Sequence, residues 1–301
     1  MDTKPVTADR RSGAATLVLL AMTACWGSTF FLIHGLVTRM PAADFLAVRF
    51  GIASLVMLVA APRAIGRLSP AARQHAVVLG ALYGVAQIGQ TVGLEHTAAS
   101  VAGFITGLYV VLTPLFAAAI LRTRTTPLTW VAVALAMVGM GVLSLNGLSI
   151  GFGEGMTLIA AMLYALHIVG LGAWSSPADA LGMSIVQVLV ITAIAVVAAA
   201  PGGITFPHRS GDWAAVLYTA VFASAVALLG QTWAQAHLPA TRSAIIMSME
   251  PVFAAGFAVG LGGESLTARM IFGGLLVLCA MLMAELVPRR RIEAEVPHIA
   301  V

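Results

Sequence analysis

The sequence predicts an all-α integral membrane protein in which ten transmembrane helices form two inverted five-helix repeats around a central cavity. Three observations predict this fold class: an apolar composition, ten hydrophobic stretches of spanning length, and a short frame of residues that occurs twice. The chain is 60% hydrophobic and 9% charged, and its mean hydropathy is +0.98. Soluble domains carry about 25% charged residues, so this composition indicates a membrane protein.

Ten stretches of the chain are long enough to cross a bilayer. A helix needs about 20 apolar residues to cross a hydrocarbon core of about 30 Å. Lipid offers no hydrogen-bond partners to the backbone, so apolar runs of this length are predicted to be helices. The predicted spans are residues 15–37, 42–61, 76–95, 98–121, 128–146, 153–173, 180–200, 212–236, 240–262 and 269–287.

The frame Gly-Gln-Thr, followed by four residues and His, begins at Gly89 and again at Gly230. The two glutamines are 141 residues apart (231 − 90), close to half of the chain. Each copy is followed by a Pro-x-Phe-Ala-Ala run, which begins at Pro114 and at Pro251. The predicted organisation is a cytoplasmic N-terminal tail (1–14), a first repeat (15–146), a second repeat (153–287) and a cytoplasmic C-terminal tail (288–301).

Five spans per repeat is an odd number, so the second repeat is predicted to enter the membrane from the side opposite to the first. Basic residues accumulate on the cytoplasmic side of membrane proteins. With a cytoplasmic N-terminus, twelve basic residues fall in inner segments, and only Arg39, Arg209 and Arg269 fall in outer ones. Both termini are therefore predicted to be cytoplasmic, and the net charge of +4 reflects orientation rather than a nucleic-acid partner.

The sequence lacks the residues that several kinds of enzyme chemistry require. Lys4 is the one lysine, so there is no Walker A motif and no lysine for Schiff-base or kinase chemistry. The histidines form no HExxH motif, and Cys25 and Cys279 both fall within predicted spans, which leaves no CxxC metal site. These absences exclude ATP hydrolysis, and the sequence favours a protein that is not an enzyme and that uses no metal and no cofactor.

Polar and aromatic residues fall on one helical face in six spans, the first, third, fourth, sixth, eighth and ninth. Successive residues of a helix are rotated by 100°, so positions three or four apart share a face. Polar groups within a membrane face protein or a water-filled cavity, and we expect these six helices to surround a cavity with the other four outside. The predicted substrate-binding residues are Trp26, Tyr83, Gln87, Gln90, Tyr109, Tyr164, His167, Gln231 and Met247.

Two charged residues lie within predicted spans. Glu250 in the ninth span costs about 3 kcal/mol to insert unless it is paired or protonated. It is either a proton-coupling or substrate-amine site or a structural ion-pair partner, with Arg49 of the second span the nearest candidate by depth. Gln90 and Gln231 also leave two interpretations open, a cavity lining or hydrogen bonds between helices worth about 0.6–2 kcal/mol each. His167 is either a proton relay or an interior histidine whose hydrogen bonds are satisfied.

Pro114 and Pro251 occupy corresponding places in the fourth and ninth spans. A proline inside a helix removes one hydrogen bond and kinks the helix. Broken helices at matching places in inverted halves indicate a binding site near the midplane that opens alternately to the two sides. We expect both prolines to kink their helices and to take part in gating.

Motifs in the first, second, fourth and ninth spans carry a family resemblance. They are Trp26-Gly27-Ser28-Thr29-Phe30 with Arg49 in the next helix, the paired Pro114 and Pro251, Glu250-Pro251-Val252-Phe253, and Gly263-Glu264-Ser265-Leu266-Thr267. With them the chain resembles the drug/metabolite transporter superfamily of EamA type over residues 15–287, and within it the YddG-type bacterial exporters of aromatic amino acids and methionine. The resemblance implies a ten-helix fold in a bacterial inner (cytoplasmic) membrane, with a cavity lined by the six spans named above.

The first repeat departs from this family pattern in two ways. Thr126 stands where the second repeat has Glu264, and the segment between the repeated frame and the proline is four residues longer in the first repeat. Four residues make about one helical turn, so we expect the two sides of the cavity to be unequal.

Three functions from different classes are compatible with these residues. The cavity and the resemblance favour an exporter or facilitator of small amphipathic metabolites, foremost aromatic amino acids and methionine, that works by alternating access. The alternative is a broad-specificity drug or other metabolite carrier of the same fold. The third is an intramembrane enzyme or assembly factor that uses Glu250 and His167 for acid–base chemistry. For the favoured function the expected partners are a small molecule and membrane lipid, with no nucleic acid and no obligate protein partner.

Overall fold

The computed structural model describes residues 5–37, 39–97, 99–122, 125–144, 151–261 and 265–286, and every regular element in these ranges is helical. The α-helices are α1 (Pro5–Val37), α2 (Ala42–Ala60), α3 (Pro70–His96), α4 (Ala99–Gly107), α5 (Tyr109–Leu121), α6 (Pro127–Ser144), α7 (Phe152–Trp174), α8 (Ala180–Ala199), α9 (Ser210–Ala220), α10 (Ala227–Gln235), α11 (Ala240–Met247), α12 (Glu250–Gly260) and α13 (Ala268–Leu286). Short 3₁₀ turns follow α2 and α8, and a π-helical segment, Val221–Val226, joins α9 to α10. The all-α prediction is confirmed for these ranges.

The described helices account for the ten predicted spans. Six stretches are long and apolar enough to cross a membrane as unbroken helices: Arg11–Thr29, Ala42–Ala60, Pro70–His96, Phe152–Trp174, Ala180–Gly202 and Ser210–Gln235. Shorter apolar helices cover Ile105–Leu121, Pro127–Val142 and Ala268–Met283, which correspond to the fourth, fifth and tenth spans. The ninth span is divided between α11 and α12. The chain is therefore a multi-pass membrane protein.

Local sequence explains where several helices begin. Pro70 is the first residue of α3, where its missing N–H costs nothing. The Ser69 hydroxyl accepts a hydrogen bond from the Ala72 N–H at 3.1 Å, a normal N-cap contact. Glu154 in the first turn of α7 accepts the Gly151 N–H at 2.9 Å. These contacts fix the helix ends and, with them, the depth of each side chain in the bundle.

The spans pack in a two-fold pattern, in which each span of the first half corresponds to the span five later. Helix α3 packs against α7, and the corresponding α9–α10 span packs against α1. Helices α4 and α5 contact α7, just as α11 and α12 contact α1. Helix α2 packs against α8, and α6 packs against α13. In each of these two pairs, the helices are corresponding spans of the two halves. Each half thus completes its packing with the other half, which is consistent with an inverted repeat.

The two copies of the repeated frame occupy equivalent places in this packing. A side chain at Gly89 would meet α7, the first helix of the second half, whereas one at Gly230 would meet α1, the first helix of the first half. Thr91 and Thr232 each donate to the backbone carbonyl four residues earlier at 2.7 Å. In both halves the glycine therefore admits a neighbouring helix, the threonine is satisfied within its own helix, and the glutamine between them lines the cavity.

The structure corrects several predicted boundaries. Helix α1 begins at Pro5, ten residues before the predicted start of the first span and within the predicted N-terminal tail. The fourth span is divided at Leu108, between α4 and α5, and the ninth at Ser248 and Met249, between α11 and α12. The predicted C-terminal tail (288–301) lies outside the described residues, as does Glu264.

The helix breaks precede the two prolines. A proline clashes with the carbonyl group four residues earlier, and that residue for Pro251 is Met247, where α11 ends. Pro251 therefore stands in the first turn of α12, where its missing N–H is tolerated. Pro114 lies inside α5, six residues after the break at Leu108, so the break in the fourth span is not at its proline.

Candidate substrate site

A cavity lies between the two halves of the bundle, and a volume of about 80 Å³ within it is open to the centre of a water molecule. It is lined by all eleven residues that the sequence analysis assigned to substrate binding, coupling or polar anchoring: Trp26, Arg49, Tyr83, Gln87, Gln90, Tyr109, Tyr164, His167, Gln231, Met247 and Glu250. The structure thus brings these side chains together in one cavity.

The ring of helices differs from the predicted one. Six spans were expected to surround the cavity, but Arg49 of α2 also reaches it, so seven spans contribute. Residues that the sequence analysis did not single out for binding, such as Thr106 and Ile33, complete the lining. Thr106 lies three residues before Tyr109 on the same face of the fourth span, so helical spacing alone could have assigned it to the cavity lining.

One wall of the cavity is a cluster of aromatic and amide groups from α3, α4 and α7. The Tyr164 hydroxyl donates to Gln90 Oε1 at 2.8 Å, and Gln90 Nε2 donates to the Thr106 hydroxyl at 3.2 Å. The Tyr83 ring lies 5.3 Å from the Tyr164 ring and 4.9 Å from the His167 ring, measured between centroids. Aromatic pairs prefer edge-to-face and tilted arrangements of this kind, and these contacts restrict the motion of the rings. The wall can therefore contact an apolar ligand with little loss of side-chain entropy.

His167 is tied to the helix behind it. Its Nε2 lies 2.8 Å from Gln187 Oε1 of α8, and Gln187 Nε2 lies 3.5 Å from the Thr232 hydroxyl. His167 Nδ1 is buried and has no hydrogen-bond partner among the described residues. Gln187 belongs to the seventh span, one of the four expected outside the cavity, and it orients a cavity residue from behind.

Gln231 mirrors Gln90 on the side of the second half. Its Nε2 donates to Gln235 Oε1 at 3.0 Å and lies 3.7 Å from the Met247 sulfur. Gln235 in turn donates to the Ile168 carbonyl at 2.9 Å. Gln231 Oε1 is buried and lacks a partner in the described part of the chain. An acceptor is thus left free in the cavity wall.

Arg49 is held by neutral groups of the eighth span. Its Nε donates to the Ser224 hydroxyl at 2.7 Å, and its Nη2 donates to the Ala223 carbonyl at 3.2 Å. The Trp26 indole N–H donates to the same carbonyl at 2.9 Å. Ala223 lies in the π-helical segment, where wider hydrogen bonding leaves carbonyl groups available to side chains. The sequence showed no proline or glycine to mark this irregularity.

Glu250 begins α12 beside α1. Gly27 of α1 packs against this point, and a Cβ atom placed there would come within 2.9 Å of the Glu250 carbonyl oxygen. Among the described residues the carboxylate of Glu250 has no ion pair, and the one salt bridge found is between Arg39 and Asp212. The pairing of Glu250 with Arg49, one of the two interpretations above, is therefore not observed.

The described residues contain no group of three or more His, Cys, Asp or Glu side chains that could hold a metal ion. A Gly-x-Ser-x-Gly sequence does occur at residues 147–151, but it follows helix α6 rather than a strand, and Ser149 lies outside the described residues. A hydrolase nucleophile of this type needs a strand–turn–helix context. The chemistry that the cavity itself offers is noncovalent binding by rings, amides and two charged groups.

Comparison with known proteins places the chain among transporters. The EamA-like transporter family matches it twice, over residues 13–145 and 151–285. An uncharacterized transporter of Archaeoglobus fulgidus is 31% identical over 277 residues, which cover 90% of this chain and 86% of the relative. The uncharacterized inner membrane transporter YedA of Escherichia coli K12 is 27% identical over 275 residues, 88% of this chain and 89% of the relative. One solved crystal structure has the same fold, with a TM-score of 0.78 and 16% identity over 92% of this chain and 97% of its own.

Proposed function

Because the chain belongs to the EamA-like transporter family, we propose that it exports or facilitates passage of small amphipathic metabolites, foremost aromatic amino acids and methionine. The observation that carries this proposal is a cavity at which rings, amides and two oppositely charged groups from both halves converge. Rings and the Met247 thioether suit an apolar side chain, whereas Gln90, Gln231 and the charged groups suit a polar head.

The arrangement of the divided helices supports alternating access. Helices α4 and α11 correspond to each other in the two-fold pattern, and each is the first part of a divided span. Every residue of α11 is buried, so this half-helix packs within the bundle. A transporter built from two inverted halves reaches its second state when the halves exchange conformations. Pro251, in the first turn of α12, supports the break in the ninth span about which such a motion would turn.

The orientation of the chain is part of the same proposal. The excess of arginine and lysine in predicted inner segments favours cytoplasmic N- and C-termini. The Escherichia coli relative is named an inner membrane transporter, and we propose the same location for the present chain.

One observation favours a second function, a carrier of organic cations with broad specificity. The carboxylate of Glu250 lines the cavity and has no cationic partner among the described residues. An aromatic cavity with one unpaired acid attracts amines through charge and cation–π contacts. The two functions differ in whether the transported molecule carries a carboxylate.

Counterflow in proteoliposomes tests the proposed function. Vesicles are loaded with unlabelled tryptophan or methionine, and uptake of the labelled compound is followed with and without a pH gradient. We expect transient accumulation of the label, which the double variant Gln90→Ala, Tyr83→Ala reduces without loss of folded protein. The matched control is Phe272→Ala, whose aromatic side chain lies exposed on α13. Normal counterflow by the double variant would refute the site, and counterflow of organic amines alone would favour the second function.

A further inference from the structure

We propose that Arg49 binds the carboxylate of the transported molecule, so that the site selects acids and zwitterions over amines. This inference rests on the proposed function and names the substrate class of the same cavity. Arg49 is 4% exposed, yet it lines the cavity. A buried cation without an anion is costly in a protein or a membrane interior. The groups around Arg49 therefore indicate which kind of ligand would neutralise its charge.

The guanidinium group is only partly satisfied by the protein. Nε and Nη2 donate to the Ser224 hydroxyl and the Ala223 carbonyl, both of which are neutral. Nη1 has no hydrogen bond to any described residue, and no described carboxylate lies within ion-pair distance of Arg49. A guanidinium has five N–H groups in a planar fork that matches a carboxylate. The unused edge is thus available to a ligand anion.

The walls around Arg49 fix the position of this edge. The centroids of the Phe45 and Phe50 rings lie 5.8 Å and 5.0 Å from the guanidinium carbon. Both are buried residues of the same helix α2, and their rings shield the flanks of the guanidinium group from water. Held by Ser224 and flanked by two rings, the guanidinium is preorganised for one ligand direction, which lowers the entropic cost of binding.

The rest of the cavity has the layout of a site for an amphipathic acid with an amine. Trp26 shares the Ala223 carbonyl with Arg49, so its indole ring stands beside the guanidinium. The next residue, Gly27, packs on the backbone of Glu250. Successive residues of a helix are rotated by 100°, so the arginine and the glutamate approach α1 from different sides and do not pair with each other. A carboxylate at Arg49, an apolar side chain along the Trp26 ring and an ammonium toward Glu250 would use all three groups.

Binding of three indole compounds to the purified full-length protein tests the assignment without any assumption about transport. The compounds are tryptophan, indole-3-propionate, which lacks the amine, and tryptamine, which lacks the carboxylate. Isothermal titration of each compound alone gives its dissociation constant. Charge-assisted hydrogen bonds to an arginine are worth enough that tryptamine should bind about 10–100-fold more weakly than tryptophan. Indole-3-propionate should also bind more tightly than tryptamine.

Variants assign this preference to Arg49. Arg49→Gln should remove the preference for the carboxylate, and Arg49→Lys should retain it in weakened form because a lysine keeps the charge but not the fork. The control Arg39→Gln removes an exposed arginine that pairs with Asp212, and the preference should be unchanged. If Arg49→Gln does not fold, the order of the three compounds on the unaltered protein and on Arg49→Lys decides.

The outcomes separate this inference from the proposed function. Tryptamine binding as tightly as tryptophan, an Arg49→Gln variant that keeps the preference, or no binding of any of the three compounds would overturn the role of Arg49. Selective binding of the carboxylates without counterflow would support the role of Arg49 and refute the transport of these molecules. Counterflow of amines alone would leave a carrier whose arginine is structural.

Discussion

Gly27 lies at the crossing of α1 with α12, and its replacement by alanine tests the packing that positions Glu250. A Cβ atom at this residue would come within 2.7 Å of the Phe253 Cβ and 2.9 Å of both the Ala254 nitrogen and the Glu250 carbonyl oxygen. Two of these neighbours are backbone atoms, which cannot move unless the helix moves. Restoring a contact of about 3.4 Å requires the helices to separate by about 0.5–0.7 Å.

Overpacking of this size costs about 1–3 kcal/mol, whereas replacing a helical glycine by alanine gains about 0.5–1 kcal/mol. Gly256→Ala is the matched control, because Gly256 lies in α12 with open space around its Cβ position. The propensity gain is common to both variants, so Gly27→Ala should be less stable than Gly256→Ala by about 1–3 kcal/mol. At about 2–4 °C per kcal/mol, its thermal unfolding midpoint in detergent should be lower by at least about 2 °C.

Transport should report the same displacement, since a shift of α12 moves Glu250 relative to Trp26. We expect counterflow by Gly27→Ala to fall below that of Gly256→Ala when equal amounts of folded protein are reconstituted. Equal midpoints and equal rates for the two variants would refute the close crossing of α1 and α12 and the position of Glu250 that depends on it.

The hydrogen bonds of the bundle lead to three more expected results. Tyr164→Phe keeps the ring but removes the 2.8 Å hydrogen bond to Gln90. Because such a bond is worth about 1 kcal/mol, the counterflow rate should fall about fivefold. An unchanged rate would show that the hydrogen bond plays no part in transport. Gln187→Leu leaves buried His167 without its hydrogen-bond partner and should lower the free energy of unfolding by about 1–3 kcal/mol. Thermal unfolding measures this loss, and an unaltered midpoint would contradict the buried hydrogen bond. Asp212→Asn breaks an exposed ion pair and should change stability by less than about 1 kcal/mol, so a larger loss would disagree with its surface position.

The sequence could predict the residues of the cavity because the membrane restricts where polar groups can lie. Gln90 and Gln231 recur in equivalent frames, and each frame includes a glycine that admits a helix of the opposite half. Since lipid cannot satisfy an amide or a hydroxyl, a helical face that carries such groups must point inward. This reasoning requires only the helical period, and the side chains chosen by it line one cavity.

The contacts between helices could not be predicted in this way. Depth along a span suggested Arg49 as a partner of Glu250, but Arg49 bonds to Ser224 and the Ala223 carbonyl instead, because depth does not specify lateral position. The π-helical segment has no proline or glycine; it is stabilised by side chains of α1 and α2 that bind its carbonyl group. The break at Leu108 likewise depends on packing and not on Pro114, which lies six residues later.

Accessibility of one cavity residue from the two sides of the membrane tests the alternating-access account most directly. Thr29 lines the cavity, so Thr29→Cys is placed in a background with Cys25→Ser and Cys279→Ser and treated with a membrane-impermeant maleimide from either side. Arg67→Cys, in a predicted cytoplasmic loop, reports the orientation of the vesicles. We expect Thr29→Cys to react from both sides and to be protected by excess substrate, whereas Arg67→Cys reacts from the cytoplasmic side alone. Labelling of Thr29→Cys from only one side, with or without substrate, would contradict the account.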